Sequence, residues 1–169
     1  GESITFTATP VDAVEYIWNV NGVTSTTTEN TLTVSEDKKY EVFVNVTSND
    51  GCVYDNSATV TAEIYSKPTV SLTSSGSTCF GNTLTFTAEP ASDENTYAWT
   101  VNGAAHAETS SSISFTEAGS YTVSVVMTDK NGCISDASNE VTAEIYAKPT
   151  VSLPSTGNVC FGNTLTFTA

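Results

Sequence analysis

The sequence predicts an all-β chain of tandem β-sandwiches, about seven strands in each, arranged as a rod. Three observations carry this expectation. Apolar and polar residues alternate at period two through nearly every segment, and no helical stripe competes. Thr, Ser, Asn and Val dominate while Gln and Arg are absent, which suits exposed sheet. Residues 60–88 return at 141–169 with five changes in 29 positions, at an offset of 81. The opening stretch from Gly1 to Pro10 lines up more loosely with Gly81 to Pro90, at an offset of 80. The frame is then a first module at 1–66 lacking its strand A, a second complete module at 67–147, and strands A and B of a third at 148–169. Modules of this size are large enough to fold alone.

In the second module, Val70 and Leu72 begin strand A after Lys67-Pro68. Strand B follows Gly81, with Leu84, Phe86 and Ala88 inward and Thr83, Thr85 and Thr87 outward. Strand C runs from Tyr97 to Val101 and closes on Asn102-Gly103, a strong hairpin signal. The polar stretch 104–111 reads as an edge, Ile113 and Phe115 as strand E, and residues 117–120 as a turn. Strand F carries Tyr121, Val123, Val125 and Met127. After the Asp129-Lys130-Asn131-Gly132 turn, strand G carries Val141, Ala143 and Ile145. The first module repeats the pattern with Ile4, Phe6, Trp18, Leu32, Val34, Tyr40, Val42, Val44, Val60 and Ile64. Short strands at regular spacing, with one Trp on the third, describe an immunoglobulin-type sandwich, and place Trp18, Trp99, Tyr40 and Tyr121 in the cores.

Two motifs carry a family resemblance. Y-x-W-x-V-N-G spans Tyr16 to Gly22 and Tyr97 to Gly103, and G-S-Y-T-V-S-V-V-M-T-D-K-N-G-C spans Gly119 to Cys133. The chain resembles PKD-like and Ig-like repeats. The C-x-G before strand B (Cys79-Phe80-Gly81, Cys160-Phe161-Gly162) and the N-G-C or D-G-C turn look like the variety found in Bacteroidota. Those repeats stand in tandem in very large surface proteins, including gliding-motility adhesins exported by the type IX system. Gly22-Val23 and Gly103-Ala104 replace the Asp-Gly typical of PKD modules, a departure that leaves the fold expectation intact. The resemblance implies an architecture and an outer-surface, extracellular location, and it brings no activity with it.

Lys+Arg is 5 against Asp+Glu 19, a net charge of −14. This argues against nucleic acid or an anionic membrane as partner, since both need basic patches. The charge reads as solubility and mutual repulsion of neighbouring fibres, with divalent cations as the alternative. No run approaches the ~20 apolar residues of a membrane helix, so direct membrane insertion is not expected. No signal peptide is visible either, and any targeting segment would lie outside 1–169.

Four cysteines form two sets, Cys52 and Cys133 in the F–G turns and Cys79 and Cys160 just before strand B. Two per period, in the extracellular location that the resemblance implies, suggest disulfides. In such a sandwich the two turns lie at opposite poles, more than ~20 Å apart at ~3.3 Å per residue. A disulfide spans Cα separations of about 4.4–6.8 Å, so a bond within one module looks strained. Three readings stand: staples between successive modules, a Cys79–Cys133 bond within one, or free thiols. In the first, Cys133 bonds a Cys two residues ahead of Gly1, and Cys79 bonds the F–G turn of the third module. The junctions read as stiff, because strand G runs through Tyr65 into Lys67-Pro68 and through Tyr146 into Lys148-Pro149 with no Gly/Ser linker.

Catalytic chemistry is hard to assemble here. His106 is the sole histidine and reads as a surface residue; no triad, zinc cluster or phosphate loop recurs, so no enzyme and no cofactor are expected. Asp50 and Asp55, with Asp129 and Asp136, flank the F–G turns as weak calcium candidates, without a D-x-D-x-D-G loop. Tyr65 and Tyr146 read as junction packing, with a sugar-stacking platform as the alternative. The leading functional expectation is a structural segment of an extracellular adhesin stalk or surface filament, bearing force and spacing an adhesive region from the cell. Its partners would be neighbouring repeats of the same polypeptide or fibre, and it would work by geometry. The alternative is a multivalent module that binds surface polysaccharide or protein. A third reading is an accessory domain of a secreted enzyme.

Overall fold

A computed structural model describes residues 2–55, 57–153 and 157–167. It divides into two compact units, Gly1–Lys67 and Pro68–Ala169. Every helix or strand among the described residues is a strand, so the chain is all-β as expected.

Unit 1 contains β1 (Ile4–Thr7), β2 (Glu15–Val20), β3 (Val23–Thr27), β4 (Thr31–Val34), β5 (Lys39–Thr47), β6 (Val53–Tyr54) and β7 (Val60–Glu63). One sheet is β1-β4; the other runs β3-β2-β5-β6, with β7 also on β5. Tyr16, Trp18, Tyr40, Val42, Val44, Val46 and Ala8 fill the space between them. Unit 2 contains β8 (Ser71–Ser74), β9 (Thr78–Cys79), β10 (Leu84–Glu89), β11 (Thr96–Val101), β12 (Ala104–Ala105), β13 (Ser112–Phe115), β14 (Gly119–Thr128) and β15 (Val141–Tyr146). Its sheets are β13-β10-β8 and β12-β11-β14-β15-β9, closed over Leu84, Phe86, Trp99, Val123, Val125 and Ile145. Each unit is thus an immunoglobulin-type β-sandwich.

Strand A divides between the two sheets. β8 pairs antiparallel with β10, and after Gly76 the chain crosses so that β9 runs parallel to β15. The Asn-Gly hairpins form as read, with Asn21, Gly22, Asn102 and Gly103 all at positive φ. Each Asn also reaches sideways: Asn102 donates to the Ser120 carbonyl and accepts from the Thr122 amide, and Asn21 does the same with Lys39 and Glu41. Strand G departs from a plain ladder. The Ser57 hydroxyl accepts from the Val44 amide, Ser138 from Val125, and the buried Ser135 from Met127. Ahead of β7 and β15 a side-chain oxygen thus takes the place of a backbone carbonyl and satisfies these amides.

Several expectations need correction. Tyr121 lies at the margin of its core, half-buried and stacked on Phe115 at 4.1 Å, whereas Tyr40 is buried as expected. Both hydroxyls donate to the carbonyl four residues back, of Glu117 and Glu36, each at 2.8 Å. Val60 is exposed on the outer strand β7, because β7 has β5 on one side and no strand on the other among the described residues. The edge at 104–111 is only two residues of strand in unit 2 but five in unit 1. Residues 148–153 and 157–167 form no strand, against the strands A and B expected there. Leu165 and Phe167 are 37% and 57% exposed, while Leu84 and Phe86, at the same repeat positions, are 0% exposed. The latter pair have β8 and β13 as neighbours; no strand stands beside the former among the described residues.

The two tryptophans are not equivalent. Trp99 Nε1 donates to the Ser110 carbonyl at 2.9 Å, but the buried Trp18 Nε1 has no acceptor among the described residues. An unsatisfied buried donor costs about 1–3 kcal/mol, so Trp18 gives less than its burial suggests. W99F removes a made hydrogen bond, whereas W18F removes an unsatisfied donor. We expect W99F to destabilise its unit by about 2 kcal/mol more than W18F destabilises its own. Calorimetry, with each unit followed through its amide resonances, checks this; equal losses would contradict it.

Candidate functional site

The expected site residues sort onto the two poles of unit 2. At one pole, Thr128 and Thr96 pair at the end of β14 and β11, and the Asp129–Cys133 turn closes the strands. β8 starts at this pole, since Ser71 pairs with Glu89 just ahead of Pro90. At the other pole, Gly119 pairs with Ile145, and Tyr146 pairs with Cys79. The ten residues of β14 lie between Cys79 and Cys133, about 33 Å at ~3.3 Å per residue. That excludes the bond within the module, which needs Cα atoms within about 7 Å. Cys52, Cys79 and Cys160 are free and exposed, and Cys133 is half-buried.

The calcium candidates do not converge. Asp129 Oδ1 accepts from the amides of Asn131 and Cys133, both at 2.9 Å, so its carboxylate already shapes the turn. In unit 1 the equivalent role falls to Ser48, whose hydroxyl accepts from the Cys52 amide, so Asp50 is no counterpart of Asp129. Among the described residues no three His, Cys, Asp or Glu side chains stand together as a metal site. Unfolding temperatures measured with and without a calcium chelator are expected to coincide.

The junction residues Tyr65, Lys67, Tyr146, Lys148 and Pro149 are exposed, and Pro68 is half-buried. The structure adds a residue that the sequence reading passed over. Phe80 is exposed beside Tyr146, its amide donating to the Tyr146 carbonyl at 2.8 Å. Two aromatic residues therefore share the pole that carries Cys79. The available signal was an aromatic residue between Cys and Gly in a turn, recurring at Phe161. Tyr54 is a further exposed aromatic, on β6.

His106 is exposed, accepts from the Glu108 amide through Nδ1, and lies edge-on to Phe115 at 5.9 Å. Glu108 in turn accepts from the Ser110 and Thr109 amides, which hold its carboxyl below the ordinary glutamate value. This loop presents the carbonyl that Trp99 uses. With the folded value depressed, the contribution is complete above the unfolded value and is lost as pH falls through the folded one. A carbon-detected titration is expected to place the Glu108 midpoint below that of the unfolded chain, and Glu108→Gln to remove that part of the acid-limb loss.

No protein-family model matches the chain, and no curated protein does. Solved structures are similar at low identity. The fibronectin(III)-like modules of CbhA from Clostridium thermocellum share 16% identity, with 87% of each chain covered and a TM-score of 0.42. A 1.5-MDa bacterial ice-binding adhesin shares 17% over 87% of this chain and 58% of its own, at a TM-score of 0.44. SGBP-B of the Bacteroides ovatus mixed-linkage glucan utilization locus, solved with a mixed-linkage heptasaccharide, shares 15% over 91% of this chain and 45% of its own, at 0.30.

Proposed function

We propose that this chain is a segment of a long, extracellular, repetitive stalk or filament that spaces an adhesive region from a bacterial cell and bears load. The observation that carries it is the near-identity of 60–88 and 141–169, which runs from strand G across the Lys-Pro junction into strand B. Cores tolerate compatible apolar swaps, and the strand C to F region does differ between copies. Sameness concentrated at the joint supports the joint's geometry as the working element. In unit 2 the chain comes in at one pole and leaves at the other, so tension loads the strands of the sandwich lengthwise. The repeat pattern supports a Bacteroidota surface protein of the gliding-adhesin kind, exported by the type IX route.

Disulfides join the strand-B approach of one module to the F–G turn of the next. The ~33 Å between Cys79 and Cys133 supports this pairing over one inside the module. No residue takes a catalytic role in this reading, and calcium is not required. The exposed Phe80 and Tyr146 favour a second reading, a module that stacks sugar rings and gains affinity through multivalency.

Small-angle scattering on a stretch of five or more modules tests the stalk. Its longest dimension is expected to grow in equal steps of about 30–40 Å per module. Growth as the square root of module number would mark a flexible string and overturn the reading. Non-reducing peptide mapping of the same stretch is expected to show links between modules, and a Cys79–Cys133 peptide would refute the staple. Binding on a glycan array would favour the second reading.

A further inference from the structure

Three Asn-Gly pairs occur in the chain, Asn21-Gly22, Asn102-Gly103 and Asn131-Gly132, and all three asparagines are exposed. What separates them is how the side-chain amides are held. Asn21 Oδ1 accepts from the Glu41 amide at 2.8 Å, and its Nδ2 donates to the Lys39 carbonyl at 3.0 Å. Asn102 Oδ1 accepts from the Thr122 amide at 2.8 Å, and its Nδ2 donates to the Ser120 carbonyl at 3.1 Å. Both have a φ of 50° and sit in hairpins paired up to the turn, Val20 with Val23 and Val101 with Ala104. Asn131 lies outside the left-handed region. Among the described residues its side chain makes a single long contact, Nδ2 to Asp129 Oδ2 at 3.5 Å.

The chemistry open to such a pair needs only water. The Gly132 nitrogen attacks Asn131 Cγ and gives its proton to hydroxide; the Cγ–Nδ2 bond breaks, and Nδ2 leaves as ammonia with a proton from water. Water then opens the five-membered imide. Cleavage at Cγ gives aspartate, and cleavage at the main-chain carbonyl gives isoaspartate, with the chain rerouted through Cγ. Gly132 favours the attack, because no Cβ shields its nitrogen and nothing within 4 Å crowds the place where one would stand. The reacting atoms are already neighbours, so the freedom to rotate into line sets the rate. At Asn21 and Asn102 that rotation breaks two side-chain hydrogen bonds to the adjacent strand. At Asn131 it releases the 3.0 Å bond from the Gly132 amide to the Asp129 carbonyl, on an exposed turn.

Unit 1 already holds one of the two products. Asp50 occupies the place of Asn131 at the 81-residue offset. The two turns share their backbone bonds: Ser48 N to Cys52 O at 2.9 Å and Gly51 N to Ser48 O at 3.0 Å, against Asp129 N to Cys133 O and Gly132 N to Asp129 O, both at 3.0 Å. Aspartate at 131 therefore fits the turn. Isoaspartate lengthens the main chain by one carbon where Asp129 Oδ1 gathers the amides of Asn131 and Cys133, each at 2.9 Å. We propose that Asn131-Gly132 is a self-modification site that loses ammonia faster than the other two pairs in the folded chain, and that its isoaspartyl form frees the Cys133 amide from Asp129. The conversion also adds a negative charge beside Asp129.

Peptide mapping of the whole folded chain, held at mildly alkaline pH and fragmented so that aspartate and isoaspartate separate, tests this. Residue 131 is expected to convert about tenfold faster than Asn21 and Asn102, and in concentrated urea the three are expected to convert at similar rates. Asn131→Gln, whose longer side chain disfavours the ring, is expected to stop conversion at that position. Asn131→Asp is expected to keep the Cys133 amide protected from hydrogen exchange, as the aspartate of unit 1 suits its turn. The isoaspartyl fraction, isolated by ion exchange and compared with that variant, is expected to lose the protection. Equal rates at the three sites in the folded chain overturn the proposal. So does a preference for residue 131 that is as large in urea, or an isoaspartyl fraction whose Cys133 amide stays protected.

Discussion

A strand rich in Thr and Ser keeps its shape only while a neighbour takes up its backbone hydrogen bonds, and this chain holds the comparison within itself. Phe80-Gly81-Asn82-Thr83-Leu84-Thr85-Phe86 and Phe161-Gly162-Asn163-Thr164-Leu165-Thr166-Phe167 are the same seven letters. The first leads into β10, with β8 and β13 on its two sides. The second has a turn at Asn163 and no strand. Propensity is equal in the two places, so the difference belongs to the partners. In unit 1, among the described residues, β1 pairs with β4 and β7 with β5.

Within each sandwich, polar side chains finish what the strands begin. Asn21 and Asn102 tie the β2–β3 and β11–β12 hairpins to the adjacent β5 and β14, and the Ser57 and Ser138 hydroxyls take amides of β5 and β14 just ahead of β7 and β15. Where one of these connections is missing, the core registers it: Trp18 and Trp99 sit alike in their sheets, yet only Trp99 has an acceptor. The difference lies in the 106–110 loop, where Glu108 gathers the amides that set the Ser110 carbonyl in place.

Much of the fold was legible because period-two alternation reports which face is buried. Leu84, Phe86 and Ala88 are buried and Thr85 and Thr87 less so, as the pattern required. Tyr121 was misplaced because alternation gives the face and not the depth: it points inward at the margin of the sheet and rests on Phe115. The division of strand A at Gly76 left no periodic trace, since β9 is only two residues long. The cysteine geometry was readable because strand length alone keeps Cys79 and Cys133 apart. The exposed Phe80 was not, because an aromatic residue in a turn has no period to betray its direction.

The tyrosine that opens each Y-x-W motif has a consequence for how such modules diversify. Tyr16 donates to the Pro10 carbonyl across six residues, and Tyr97 donates to the Pro90 carbonyl across seven. One hydroxyl clasps the same proline in loops of unequal length, and this is where the repeat offset changes from 80 to 81. The clasp fixes both ends of the loop, so an added residue is absorbed between them and the strands on either side keep their register. Residues 11–15 and 91–96 are therefore the part of the module most open to insertion, a variable tip carried on an unchanging frame.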